Sequence, residues 1–314
     1  MTSYIVQRLL ATIPVLILIS LITFFAVALL PGDQAIALLG LEADVRQLEA
    51  VREQLGLNRP VVERYFHWVY DALQGDLGHS VRADRAVSDL IAKRLQVSLE
   101  LAILATLIAL TIGIPLGLLA GSRPNTPFDY GGTTFAVLGA AIPDFWLALM
   151  LILAFAVGFG WFPATGFTPF LDDPVENLRS LVLPAVAIGT GQAAVLARQT
   201  RAALVEVLRQ DYVRTAYAKG LPGRAVILRH AFRNALIPVV TVFGIQVSTV
   251  VAGFVIIESV FNLPGVGKLL VDSVFQRELQ TVQAIGIMLA VGVALTNLVV
   301  DVSYAFLDPR IRYA

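Results

Sequence analysis

Long apolar stretches separated by short polar segments make up most of the chain. A helix needs about 20 mostly apolar residues to cross the hydrocarbon core of a bilayer. The pattern therefore predicts six transmembrane helices, near residues 9–30, 98–121, 133–158, 181–197, 235–257 and 280–303. The third run is interrupted by Asp144, and the fourth is the shortest.

The basic residues are unevenly divided between the two sides that six spans would define. With the N-terminus inside, the short outer loops carry Arg179, Lys268 and Arg277, whereas the inner segments carry many more, most of them between Arg198 and Arg233. Short cytoplasmic loops are enriched in Lys and Arg. Both termini are therefore predicted to be cytoplasmic.

The segment between the first two predicted spans, residues 31–97, is predicted to be an extracytoplasmic helical region. Apolar residues at three- and four-residue spacing predict an amphipathic helix that ends at Gly56, namely Leu41, Val45, Leu48, Val51 and Leu55. A second helix follows Pro60 and is closed by Gly75 and Gly78. The region is either a packed cap or a surface that contacts a ligand directly.

The first span could alternatively be a secretory signal, because Ala26-Val27-Ala28 resembles a cleavage site. Its apolar run is longer than the 7–15 residues of a signal peptide, and a retained helix is the favoured interpretation.

Composition supports an all-α integral membrane protein. Of the 314 residues, 57% are hydrophobic and 15% charged, with a mean hydropathy of +0.77, whereas soluble proteins carry about 25% charged residues. Cysteine is absent, which excludes disulfides, thiolate metal sites and a cysteine nucleophile. A net charge of zero gives no indication of a nucleic-acid partner.

One cytoplasmic segment, VRTAYAKGLPGRAVILRHAFRN at 213–234, combines many basic residues with no acidic one. Asp211 is a plausible helix N-cap, and Lys219 and Gly220 suit the opposite end. The pattern predicts a short helix at 212–219, a break at 221–223, and a second helix that continues into the fifth span.

The short helix has one face suited to docking. Val213, Ala216, Tyr217 and Gly220 follow i, i+3, i+4, i+7 spacing, which places a notch beside an aromatic ring. This face is predicted to enter a groove of another protein. The alternative is that the basic residues contact anionic lipid headgroups, and for Arg224, Arg229 and Arg233 that alternative is favoured.

The sequences DYVRTAYAKGL and RHAFRNALIPVV resemble the cytoplasmic coupling loop of binding-protein-dependent ABC importer permeases, in the dipeptide, oligopeptide and nickel branch. Further matching segments occur in order: LPGD, LGLNRP, GDLGHS, IPDFW, ESVFNLPGVGKLL and DVSYAFLDPRIRY. The Glu and two Ala positions of the family's loop signature correspond to Arg214, Thr215 and Ala216. Ala216 and Gly220 keep the general pattern, Arg214 and Thr215 are typical of the peptide branch, and Tyr217 and Pro222-Gly223 depart from it.

The resemblance implies a type I ABC importer permease that forms half of a translocation pathway. The implied partners are a second homologous permease, two ATP-binding subunits and an extracytoplasmic solute-binding protein, in a lipid bilayer. The solutes would be short peptides, nickel or related compounds. ATP and Mg would bind the partner subunits; the chain itself would bind no cofactor and would not be an enzyme. The residues implied in ATPase coupling are Val213, Arg214, Thr215, Ala216, Tyr217 and Gly220.

The predicted organisation comprises a first transmembrane helix (1–30), the extracytoplasmic region (31–97), a five-helix permease core (98–305) and a cytoplasmic tail (306–314). The coupling loop occupies 198–235 within the core.

Two acidic residues are candidates for roles in transport. A carboxylate inside a bilayer costs several kcal/mol unless it meets water or a partner, so Asp144 either lines the pathway or is neutralised or bonded to a neighbouring helix. Pro143 is predicted to kink this span. Glu258, at the end of the fifth span, is a candidate gate residue.

Two other signals carry little weight. GVGKLL lacks the phosphate-loop pattern, since position 262 is Asn and Leu269 follows Lys268. The histidines His67, His79 and His230 show no metal-ligand spacing, so no metal site is predicted.

Two other classes of protein fit the sequence less well than the importer permease. An ion-coupled secondary carrier usually has more spans and internal repeats, and a membrane enzyme would need a cluster of catalytic groups that the sequence does not bring together. The importer permease is the favoured interpretation.

Overall fold

The computed structural model describes residues 2–28, 35–36, 43–54, 56–80 and 82–307, with side chains except those of 2–9, 27, 54, 248–253 and 300–307. The elements, in chain order, are α1 (Thr2–Ala28), α2 (Val45–Gln54), α3 (Val61–Leu73), β1 (His79–Ser80), β2 (Arg85–Ala86), α4 (Val87–Ser122), α5 (Pro127–Ala141), α6 (Asp144–Leu151), a π-helix (Ile152–Gly158), α7 (Pro174–Leu208), α8 (Asp211–Ala218), α9 (Gly223–Ala225), a second π-helix (Val226–Ala231), α10 (Phe232–Val260), α11 (Val266–Phe275) and α12 (Leu279–Leu307).

The chain folds into two compact units. The central unit contains Leu99–Leu263 together with the end of the chain from Thr296, and the flanking unit contains Thr2–Ser98 and Pro264–Leu295. The boundaries predicted from the sequence, at residues 30 and 97, follow the expected membrane surfaces, whereas these two units are defined by packing. The flanking unit accordingly includes residues beyond 97, from the region that follows α10.

Where they are described, five of the six predicted transmembrane segments lie on single helices, and the third is divided between α5 and α6 with its π-helix. Among the described residues, four helices are long and apolar enough to cross a membrane, and the pair formed by α5 with α6 and its π-helix gives a fifth if it is one span. The apolar part of α1, Leu10–Ala26, is slightly shorter. The fourth predicted span, the shortest in sequence, is part of the 35-residue helix α7, whose apolar positions are mostly buried.

The third predicted span is sharply bent. Helices α5 and α6 meet at an angle of 99° because Pro143 cannot donate a backbone hydrogen bond and keeps the residue before it extended. The carbonyl of Pro143 accepts hydrogen bonds from the backbone N–H groups of Trp146 and Leu147, at 3.0 and 3.1 Å, and so begins α6. The predicted kink is confirmed, and it places Asp144 in the first turn of a new helix.

Close packing of α4 on α7 organises the central unit. A methyl group on Gly117 would lie 2.5 Å from the carbonyl oxygen of Ala197, and one on Gly113 would lie 2.7 Å from that of Ala193. Small residues at four-residue spacing allow such backbone contact between membrane helices. The same two helices are also joined by a side-chain hydrogen bond of 2.9 Å, which Asn177 Nδ2 in α7 donates to Glu100 Oε2 in α4.

The flanking unit contains a two-stranded ribbon that the all-helical prediction missed. Strands β1 and β2 pair antiparallel, His79 with Ala86 and Ser80 with Arg85. Two-residue strands contain too few positions for an alternating pattern to be recognised. The two predicted helices of this region are present as α2 and α3, whereas its extracytoplasmic location stays a prediction. Leu41 and Leu55 of the predicted α2 face lie outside the described residues.

A buried carboxylate holds this ribbon in place. Glu278, just before α12, accepts hydrogen bonds from the hydroxyl of Ser80 at 2.8 and 2.9 Å and from the backbone N–H of Arg82 at 2.9 Å. The hydroxyl of Thr281 donates a further bond at 3.1 Å. Glu278 is 8% exposed, so these donors have little access to water as an alternative acceptor.

Replacing Glu278 is therefore expected to loosen the ribbon. Glu278→Ala leaves buried donors unsatisfied, at a cost of about 1–3 kcal/mol each, and hydrogen exchange of the amides at 79–86 should become faster. Glu278→Gln keeps one acceptor oxygen and should have a smaller effect. Glu49→Ala, an exposed change on α2, is the control. Unchanged exchange at 79–86 in Glu278→Ala would show that the carboxylate does not hold the ribbon.

Candidate functional site

Helix α8 is the short cytoplasmic helix that the sequence predicts. It begins one residue earlier than expected, because Gln210 occupies the N-cap position and makes no side-chain capping bond, while Asp211 lies in the first turn. The predicted N-cap role of Asp211 is therefore wrong, although its charge still suits the positive end of the helix. Lys219 is the C-cap, and Gly220 ends the helix with φ +77°, a conformation that glycine adopts without strain.

The inner side of α8 packs on the chain itself. Val213 is fully buried and Ala216 is 7% exposed, and both lie in a small apolar cluster with Val226, against which Val207 and Leu208 also pack. The docking face proposed from sequence is therefore divided. The notch at Ala216 is filled by the fold, and this side of the helix fixes α8 to the end of α7.

The outer side of α8 is open to contact. Arg214, Thr215, Tyr217 and Gly220 are exposed, and 47% of Tyr217 is accessible. Arg214 forms a loose ion pair with Asp211 at 3.5 Å, while the hydroxyl of Thr215 bonds to the carbonyl of Asp211 at 3.0 Å. An aromatic ring beside a guanidinium is typical of residues that contribute most to protein–protein binding.

A polar contact fixes the first turn of α8 to the base of α10. The side-chain amide of Asn234 donates to the hydroxyl of Tyr212 at 2.7 Å and to the carbonyl of His230 at 3.3 Å. The Tyr212 hydroxyl also lies 3.5 Å from that carbonyl. Sequence reasoning did not identify Tyr212 or Asn234, because their partnership depends on the turn at 219–222 that folds α10 back onto α8.

A buried ion pair connects α5 with α7. Asp129 is 3% exposed and accepts two hydrogen bonds from the Arg201 guanidinium, from Nε to Oδ1 and from Nη2 to Oδ2, the latter at 2.9 Å. The backbone N–H of Asn125 donates to the same carboxylate at 2.9 Å. In the sequence, Arg201 is one of many basic residues that indicate the orientation of the spans. Asp129 lies 72 positions earlier, and nothing in the sequence indicates that the two residues pair.

Asp144 lies half-buried against α7. A methyl group on Gly191 would be 2.9 Å from its Oδ1, so the absence of a side chain at Gly191 makes room for the carboxylate. Within the described residues, Asp144 has no hydrogen-bond or ion-pair partner. This geometry gives no support to the alternative in which the carboxylate bonds to a neighbouring helix.

Glu258, the candidate gate residue, is completely buried in α10. Its backbone carbonyl accepts a hydrogen bond from Leu263 N–H at 2.8 Å in the turn that follows α10. Its role as a gate stays a prediction. Within the described residues, no three His, Cys, Asp or Glu side chains are placed together as metal ligands would be.

The fold, with its long apolar helices, is that of a multi-pass membrane protein, and family comparison gives its class. Residues 113–313 match the model of the binding-protein-dependent transport system inner membrane component, and residues 1–102 match the model of its N-terminal part. The chain belongs to this family. It is a permease subunit of an ABC importer and resides in the inner membrane, and the resemblance stated from sequence is confirmed.

Named relatives are similar along their whole length. The chain is 40% identical over 316 residues to the oligopeptide transport system permease protein AppB of Bacillus subtilis (strain 168), with 100% of both chains covered. It is 42% identical over 313 residues to the glutathione transport system permease protein GsiC of Escherichia coli (strain K12), again with complete coverage of both. A protein of Brucella abortus (strain 2308) named as a peptide transport system permease is also 42% identical over 313 residues, with complete coverage.

Two solved structures share the fold. The MetNI methionine ABC transporter in inward-facing conformations gives a TM-score of 0.54 at 17% identity, covering 70% of this chain and 96% of that chain. An amino acid ABC transporter with histidines gives 0.55 at 15% identity, covering 69% and 94%. These likenesses confirm the type I ABC importer permease fold.

The Asp129–Arg201 pair makes an asymmetric prediction about stability. Arg201→Ala leaves a carboxylate buried without its counter-charge, whereas Asp129→Ala leaves a guanidinium that is 34% exposed and can turn toward water. Arg201→Ala should therefore cost more, up to about 3 kcal/mol, with the lower melting temperature in detergent.

The double variant Asp129→Ala/Arg201→Ala tests the pairing directly. It should be more stable than Arg201→Ala alone, because neither charge is then left unpaired. If the double variant lost as much stability as the two single variants together, the pairing would be contradicted.

Proposed function

We propose that this chain forms half of the translocation pathway of an ATP-driven importer of short peptides and peptide-like solutes. The solute class is supported by the relatives named above, whose names specify oligopeptide, peptide and glutathione transport. Full-length similarity at 40–42% identity supports carrying the class over to this chain. The choice between one peptide length and another belongs to the binding protein.

The proposed complex contains a second homologous permease, two ATP-binding subunits and an extracytoplasmic binding protein. ATP and Mg bind the ATP-binding subunits, and this chain performs no hydrolysis. The observation that carries the proposal is the division of α8 into two sides: an inner side held by the chain's own core and an outer side left open. A helix built in this way can receive force from a partner and pass it on.

In the proposed cycle, the outer side of α8 sits in a cleft of one ATP-binding subunit. ATP binding closes the two ATP-binding subunits and displaces α8. Val213 and Ala216 pass the displacement to α7, and the Tyr212–Asn234 contact passes it to α10. The two permeases then move from an inward-open to an outward-open state, and hydrolysis reverses the change.

Within the pathway, we propose that Asp144 meets the solute. Its carboxylate begins α6 beside a glycine and has no partner among the described residues, so it is available to the ammonium group of a peptide. A buried carboxylate is costly unless it serves such a purpose. Glu258 is proposed to act at the outer gate, where α10 ends.

Six spans with both termini in the cytoplasm complete the proposal. The distribution of Lys and Arg supports this orientation, in which residues 31–97 lie outside and α8 lies inside.

The proposed coupling contact predicts a contrast between two basic residues of the same segment. Arg214→Glu and Tyr217→Ala change the outer side of α8 and should lower ATP-dependent uptake by about tenfold or more, as expected for residues central to an interface. Arg224→Glu makes the same charge reversal at an exposed position outside α8 and serves as the control. The measurement is uptake by proteoliposomes that contain the complete complex.

Equal losses for Arg214→Glu and Arg224→Glu would indicate a general charge effect, such as lipid attraction, and would contradict docking through α8. Normal abundance of each variant in the membrane is checked by immunoblotting.

The proposed orientation can be tested by cysteine labelling, because the chain contains no native cysteine. In intact spheroplasts, a membrane-impermeant maleimide should label Val62→Cys and should not label Thr215→Cys. After the membrane is opened, Thr215→Cys should become reactive. Both positions are exposed in the structure, and the labelling uses cells that express the permeases without the ATP-binding subunits, so neither burial nor a docked partner accounts for a failure to react. Labelling of Thr215→Cys in intact spheroplasts would reverse the orientation.

A further inference from the structure

The flanking unit contains a cavity of about 250 Å³, and all of its lining residues belong to that unit. One wall is a face of α3 formed by Arg64, Trp68 and Asp71, at the i, i+4, i+7 spacing of a single helix side. Gln283 of α12 and Glu53 of α2 also line it. The space is somewhat smaller than the roughly 300–1,000 Å³ of pockets for drug-sized ligands, and it suits a solute of one or two amino-acid residues.

An aromatic cluster fixes the wall that α3 provides. The ring of Phe24 in α1 lies 5.5 Å from that of Trp68 and 5.4 Å from that of Tyr65, and the Tyr65 hydroxyl is 2.8 Å from that of Ser20. The cavity-facing side of α3 is therefore held in one orientation before any ligand binds.

Polar side chains without protein partners line this cavity. The amide of Gln283 and the half-buried guanidinium of Arg64 bond to nothing in the described part of the chain. The indole N–H of Trp68 also has no partner there, but it is buried and has no surface open to the cavity. Arg64 and Gln283 can therefore donate to a ligand in the cavity, and a carboxylate is the acceptor that a guanidinium binds best.

Both signs of charge line the cavity, yet they do not neutralise each other. Glu53 and Asp71 form no ion pair with Arg64, or with any other described residue. Burial lowers the pKa of Arg64 from its ordinary value, and an arginine guanidinium keeps its charge at neutral pH. The cavity therefore offers a cation for a carboxylate and, separately, anions for an ammonium group.

We propose that this cavity is a second solute site, which binds a small zwitterion such as an amino acid or a dipeptide. Its carboxylate contacts Arg64 and Gln283, and its ammonium group contacts Glu53 and Asp71. The choice of solute class rests on the proposed function, whereas the pattern of unpaired groups does not. Under the proposed orientation the site faces the exterior, where it would sense or receive the solute before it reaches Asp144.

The test is binding of L-alanyl-L-alanine to the complete transporter in nanodiscs without its binding protein, measured by calorimetry. Arg64→Gln should weaken binding by about tenfold or more, the effect of losing a hydrogen bond to a charged group. Gln283→Leu keeps a side chain of similar size and removes the amide donor, so it should also weaken binding. Arg46→Gln, an exposed change on α2 away from the cavity, should alter affinity by no more than about twofold.

Two further comparisons locate the site and identify the ligand chemistry. Asp144→Asn should leave this binding event intact, since Asp144 does not line the cavity. The dipeptide amide and the N-acetyl dipeptide, which each lack one charge, should both bind more weakly than the dipeptide itself.

Absence of binding by the wild-type complex, or equal affinity in Arg64→Gln, would overturn the proposal. Equal affinity of all three probes would overturn the zwitterion assignment. None of these outcomes bears on the proposed function, which is tested by uptake and not by binding to this cavity.

Discussion

Helices α4 and α7 meet backbone to backbone, and the central unit is arranged around that contact. Apolar side chains gain little by associating in a membrane, because lipid tails are equally apolar, so packing at short range becomes the main source of helix association. Gly113 and Gly117 of α4 allow this close packing because they have no side chain at the contact with α7. Gly189 of α7 allows the same close packing against α4, since a methyl group on Gly189 would lie 2.8 Å from the carbonyl oxygen of Ala105.

The mechanical role proposed for α8 follows from this contact. Helix α7 is enclosed along most of its apolar length, and only Arg209 and Gln210 separate it from α8. Since Val213 and Ala216 are buried against the end of α7, α8 cannot move far without α7, and α7 cannot move without the helices packed on it. The Asp129–Arg201 pair extends this linkage to α5, so a displacement of α8 would reach the helix that precedes Asp144.

The sequence was sufficient to predict features that depend on neighbouring residues. Apolar runs identified the helices, Pro143 identified the bend, and Gly220 identified the end of α8. Features that join distant residues were missed, including the carboxylate of Glu278 beneath the ribbon and the partnership of Asp129 with Arg201. A charged residue in a sequence shows that a partner is needed, but its identity depends on which helices the fold brings together.

The prediction for α8 shows a related limit. An amphipathic pattern establishes that one face of a helix is covered, and it does not establish whether the same chain or another protein covers it. Val213 and Ala216 satisfy the pattern through the permease itself, which leaves Arg214 and Tyr217 for a partner. This division suits a coupling element better than a single docking face would, because one helix must hold two neighbours at once. If all the apolar residues of α8 were bound to the partner protein, none would remain to pack against the membrane helices.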